Sequence, residues 1–182
     1  MGRDGAGWWV HPPKRTDWRQ PGPPPQMTAT AVFYHLSRAG LDETVVTTVT
    51  RALTAGWRVM IRAPDAALLA HLDAKLWLGP EDGFLAHGLQ GGAHDAHQPV
   101  LLGPGPIGNA AKGLMLLAGA DAGPEEVAGL ERIWILFDGG DADAVALARQ
   151  RWTGFAGWGL AAQYWSDETG GWVKKTERPA TP

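Results

Sequence analysis

The sequence predicts a layered α/β fold with a mostly parallel central sheet and an antiparallel hairpin at its carboxyl-terminal edge. Three observations carry this reading. Short β-rich apolar runs alternate with segments of helical apolar spacing between Ala29 and Phe155, the pattern of strands joined by crossover helices. Glu131–Phe137 (ERIWILF) is apolar throughout Ile133–Phe137, as a strand covered on both faces must be. The last two runs, Leu160–Trp165 and Trp172–Lys174, are separated by the turn-rich Asp167–Gly171, so they fold back on one another.

Each element can be placed in turn. Ala29–Leu36 reads as the first strand. Asp42–Ala55 carries Val45, Val46, Val49, Ala52 and Leu53 at helical spacing, and Gly56 supplies its C-cap. Arg58–Arg62 is a short strand. Pro64 and Asp65 then open a helix running to about Trp77, which Gly79-Pro80 stops. Phe84–Ala86 is expected to pair briefly, followed by a Gly/His-rich loop over His87–Gln98. Val100–Leu102 and Leu114–Ala118 are two further strands, and Asp138-Gly139-Gly140 leads from the ERIWILF strand into a helix over Asp141–Phe155. There are no internal repeats.

Composition sets the outer limits. The chain has 182 residues, 45% of them apolar, and a formal net charge of −3. It can fill a core, and it lacks the cationic surplus of a general nucleic-acid coat. It has no cysteine, which removes disulfides, thiolate zinc sites and cysteine nucleophiles. No apolar run approaches the roughly 20 residues of a spanning helix, and the start lacks a secretory core, so a cytoplasmic protein is expected.

Residues 1–26 differ from the rest: they hold six of the 14 prolines, three of the ten tryptophans and a local surplus of two positive charges. They read as a disordered Pro-rich leader or a mis-assigned start ahead of Met27, with a recognition arm carrying Trp8, Trp9 and Trp18 as the alternative. The folded domain is expected over residues 27–175, with an unstructured tail over 176–182.

Several familiar patterns do not survive physical inspection. Gly103-Pro-Gly-Pro-Ile-Gly108 matches G-x-G-x-x-G after a strand, but Pro104 and Pro106 remove two of the N–H donors that a pyrophosphate needs, and no helix follows. Asn109 after Gly108 excludes a Walker A loop. His87, His94, Asp95 and His97 form a loose cluster in a Gly-rich loop with nothing to fix metal-ligand geometry, so no metal and no cofactor are expected. No Ser sits in a nucleophile turn. A catalytic site is not expected; the runner-up reading is a nucleotide-dependent enzyme on the same layered fold.

The last helix carries the chemical signal. Val145, Arg149, Trp152 and Ala156 share a ridge, which sets a guanidinium beside an indole. Arg can clamp a carboxylate with two parallel hydrogen bonds while the indole gives an apolar wall, a fit for an acidic peptide ending in an aromatic residue. Arg151, Lys174, Lys175 and Arg178 give residues 149–178 a local surplus of two positive charges. Composition alone favours the plainer reading, with Trp152 as core and Arg149 as a solvated helix residue.

An ordered set of segments resembles the chi subunit of bacterial DNA polymerase III: VFYHL at Val32–Leu36, GWRVMI at Gly56–Ile61, LDAKLWLGPEDGFLAHGL at Leu72–Leu89, the PVLL strand, Phe137-Asp138-Gly139, ALARQRW at Ala146–Trp152 and the closing Trp172-Val-Lys-Lys175. The resemblance runs collinearly over roughly Ala29–Lys175. It implies a Rossmann-like three-layer fold without a nucleotide site. It also implies a non-catalytic subunit that links the clamp loader, through psi, to the acidic C-terminal tail of single-stranded DNA-binding protein (SSB), with DNA contact only through SSB. Arg149 and Trp152 match the family's tail-binding helix, and Trp77 and Phe84 match an aromatic pair that docks psi or an alternative partner. Val145, Thr153 and Ala156 stand where some members carry basic residues, so a less positive tail site is expected here. Trp77 and Phe84 could equally fill the core beneath the His87–Gln98 loop.

Overall fold

A computed structural model describes residues 29–78 and 84–181. The leader of residues 1–26 and the Gly79-Pro80 stop lie outside them. In chain order the elements are β1 (Thr30–Leu36), α1 (Leu41–Thr54), β2 (Val59–Arg62), α2 (Ala66–Leu78), β3 (His87–Leu89), β4 (Val100–Gly103), β5 (Gly113–Leu116), α3 (Pro124–Val127), β6 (Arg132–Asp138), α4 (Ala142–Gly157), β7 (Ala161–Ser166) and β8 (Val173–Arg178).

The strands form one sheet in the order β3-β4-β2-β5-β6-β1-β7-β8. All neighbours run parallel except β7 and β8, which are antiparallel. The two-residue alternation of side chains divides the core in two. Ala31, Phe33, Met60, Leu114, Ile133 and Ile135 point to the face covered by α3 and α4, where Val127, Ala148 and Phe155 meet them. Val32, Ile61, Met115, Trp134 and Leu136 point to the other face, against Val45 and Val49 of α1 and Leu69, Leu72 and Leu76 of α2. Gly113 makes room for this second face, since a Cβ there would collide with the Trp134 ring.

Helix ends follow their sequence signals. Gly56 takes φ +77° after α1, and the Gly56 and Trp57 N–H groups donate to the Leu53 and Ala52 carbonyls at 2.9 and 3.0 Å, closing the helix as a left-handed glycine cap does. Asp141 caps α4, its Oδ1 accepting the Asp143 and Ala144 N–H groups at 2.9 and 3.3 Å.

Three sequence expectations need correction. The short strand expected at Phe84–Ala86 lies at His87–Leu89 instead, inside the stretch read as loop, because Val100–Leu102 offers it a parallel partner. The one-turn helix α3 was not anticipated; Pro124 at its first position and Glu125–Glu126 mark its start, but four residues carry no periodicity. The tail expected from Thr176 is ordered strand through Arg178, whose Nη2 donates to the Leu160 carbonyl at 3.0 Å.

Candidate functional site

Helix α4 lies over the sheet with different side chains on its two flanks. On the β7 flank Trp152 is half-buried, its ring 5.3 Å edge-on from Phe33 and 6.4 Å from Tyr164. Arg149 is exposed one turn earlier on the same ridge. It lies close enough to Tyr164 for its charge to oppose the effect of burial, which, together with the Glu168 charge, raises that phenol above its ordinary pKa. The Tyr164 hydroxyl shares a 2.7 Å hydrogen bond with Nδ1 of His35, and a Cβ at Gly139 would collide with that imidazole. The ridge therefore rests on a fixed aromatic floor.

A second cation reaches the same indole. The Arg178 guanidinium carbon lies 5.4 Å from the centre of the Trp152 ring, within cation–π range. Sequence reasoning counted Arg178 only as bulk charge and missed Tyr164 and His35 altogether. The signal that could have found them is strand alternation: Ala162 and Tyr164 share the α4 face, and the hairpin register sets Arg178 opposite Ala162 and Thr176 opposite Tyr164.

The other expected tail-binding residues are placed elsewhere. Arg151 turns to the opposite flank of α4, where Nη2 donates to the Gly119 carbonyl at 2.6 Å. Lys174 stands opposite Trp165, across a register irregularity, on the face that α1 partly covers, and pairs with Glu177. Lys175 pairs with Glu168 at 3.5 Å. Of the five residues, the structure brings together Arg149 and Trp152.

Trp77 and Phe84 do come together, with ring centres 5.7 Å apart. They are 60% and 71% exposed, beside Leu78 at 76%, so they do not fill the core beneath the following loop. His87 supports the cluster 5.0 Å from Trp77; its ring nitrogens lie 2.6 and 3.1 Å from the Leu85 and Asp73 carbonyls, which receive the ring's N–H.

At the carboxyl edge of the sheet, where a parallel α/β fold offers N–H groups to phosphates, the donors are taken by the chain's own carboxylates and amides. Asp138 Oδ1 accepts the Gly140 N–H at 2.8 Å, next to the Asp141 cap. In the Gly103–Gly108 loop the Gly105 N–H donates to Gln90 Oε1 at 2.9 Å and the Ile107 N–H to Glu126 Oε1 at 3.3 Å. Arg62 ties this edge together through a two-pronged contact with Glu126 at 2.8 and 2.5 Å and a bond to the Gly105 carbonyl at 2.9 Å. Its hydrogen bonds hold the Glu126 carboxyl below the ordinary range.

These features define a doubly wound, Rossmann-like α/β domain with outward-facing aromatic and cationic side chains near opposite ends of one sheet. The family model of the DNA polymerase III chi subunit, HolC, matches residues 27–163, more than half of the chain, and the chain belongs to that family of replicative polymerase subunits. No curated protein matches it. Trp165, Trp172 and all of β8 lie beyond the matched residues.

Proposed function

We propose that this chi-family protein is a non-catalytic adaptor of the DNA polymerase III holoenzyme, joining the clamp loader, through psi, to the acidic tail of SSB. The observation that carries this reading is an exposed Arg149 beside a half-buried Trp152 whose ring also lies under Arg178. A terminal carboxylate would take Arg149 in a charge-assisted pair, and the partner's aromatic side chain would lie against the indole. Arg178 offsets part of the positive charge that Val145, Thr153 and Ala156 do not supply. The exposed Trp77–Phe84 pair is the second docking surface, suited to the apolar centre of a psi interface. A cytoplasmic, nucleoid-associated location follows from this role. The carboxylates at the phosphate-binding positions weigh against the nucleotide-enzyme alternative.

A fluorescent peptide copying the last residues of the cognate SSB should bind saturably and weaken as salt rises. Arg149→Ala should remove about 1.5–3 kcal/mol of binding, a loss of more than tenfold. An unchanged dissociation constant would take Arg149 out of the site.

A further inference from the structure

The side of α4 facing away from β7 borders a cavity of about 420 Å3 that the adaptor role leaves unused. It lies at the carboxyl ends of β1, β5 and β6, with apolar walls from Leu36, Leu117, Phe137, Ala144 and Leu147. β1 and β6 are neighbours, yet α1 leaves β1 on one face and α4 leaves β6 on the other. The cavity therefore sits at the switch point where open parallel sheets take their ligands.

Its polar ends differ. At one end the carboxylates of Asp138 and Asp141 line the wall and occupy the neighbouring backbone donors, which disfavours a phosphate. At the other end is Arg151, whose side chain is only 9% exposed. Its Nε is buried without a hydrogen-bond partner among the described residues. The nearest carboxylate, Asp121, is 3.7 Å away, too far for a hydrogen bond, and its side chain is 76% exposed. A buried guanidinium nitrogen left unpaired is costly; Nε is closed to solvent where the side chain lies, so a ligand carboxylate gains by turning the guanidinium to face the cavity and pairing it there.

We propose that this cavity binds a small carboxylic acid with an apolar body, its carboxylate on Arg151 and its body along the Leu36–Leu117–Leu147 walls. The site is separate from the tail-binding ridge on the opposite flank of α4 and does not rest on that assignment.

Calorimetry on the full chain tests it with octanoate, 1-octanol, octylamine and inorganic phosphate. Octanoate should bind saturably and at least tenfold more tightly than the alcohol or the amine, and phosphate should not displace it. Arg151→Met should reduce octanoate to the level of the alcohol. Asp121→Asn, at an exposed position, should tighten octanoate severalfold by removing the competing carboxylate, and it keeps the test decisive if Arg151→Met fails to fold. Leu147→Trp should block the cavity with Arg151 in place. Absence of octanoate binding, equal binding of the alcohol, displacement by phosphate, or no effect of Asp121→Asn would each overturn the proposal.

Discussion

Asp167 shows how much one side chain can fix. It is buried at the end of β7, and its carboxylate accepts the N–H groups of Ser37 at 2.7 Å, Arg38 at 2.9 Å and Ala39. Burial alone would raise its pKa, but these donors more than offset that, so the folded value lies below the ordinary one. The stabilisation is therefore complete above the unfolded carboxylate pKa of about 3.9 and disappears as pH falls through the lower folded value. Asp167→Ala should cost about 2 kcal/mol or more at pH 7, and the gap from the parent chain should narrow in acid; denaturant unfolding at pH 7 and pH 3 measures both. None of this was legible in the sequence, because Asp167 and Ser37 are 130 residues apart and an Asp in a turn-rich stretch reads as a loop residue. Arg149 beside Trp152 was legible, since helical spacing alone brings them together. The fate of Arg151, two residues from Arg149, depended on which flank faced the loop at Gly119, and spacing carries no such information.

Elements were easier to read than contacts. The strands β1, β2, β4, β5 and β6 are nearly continuous apolar runs, and burial on both faces leaves no other reading for them. α1 formed despite six consecutive β-branched residues from Val45 to Thr50, because Val45 and Val49 bury completely against the sheet and packing outweighs weak propensity. β3 and the end of β8 were misread since their partners, not their composition, make them strands. β8 and the residue before it also fasten their neighbours: Trp172 packs 4.7 Å edge-on from Tyr34 on one face, and Arg178 reaches Trp152 and the Leu160 carbonyl on the other. Arg178→Ala should lower stability by about 1 kcal/mol and weaken the SSB-tail peptide severalfold. Arg178→Lys should recover part of the binding, whereas a role confined to stability would leave the peptide's affinity unchanged.

At the scale of the whole molecule the sheet separates the two exposed groups. The Trp77–Phe84 pair adjoins β3 at one end of the strand order, and the Arg149–Trp152–Arg178 group lies by β7 and β8 at the other. Eight strands about 4.8 Å apart make the sheet roughly 34 Å wide from edge to edge, which leaves room for both partners of the proposed adaptor at once. Trp77→Ala with Phe84→Ala should abolish capture of the clamp loader while the tail peptide binds as before and the melting temperature holds, since both rings stand in solvent. Loss of both functions together would indicate unfolding instead. The outer margins of the sheet carry one more consequence. β3 is only three residues long, and β8 presents Lys174, Lys175 and a register irregularity, so neither margin is a good template for strand addition by another copy. Replacing both lysines with valine should turn β8 into a self-complementary ledge, and size-exclusion chromatography should then show concentration-dependent aggregation that the parent chain resists.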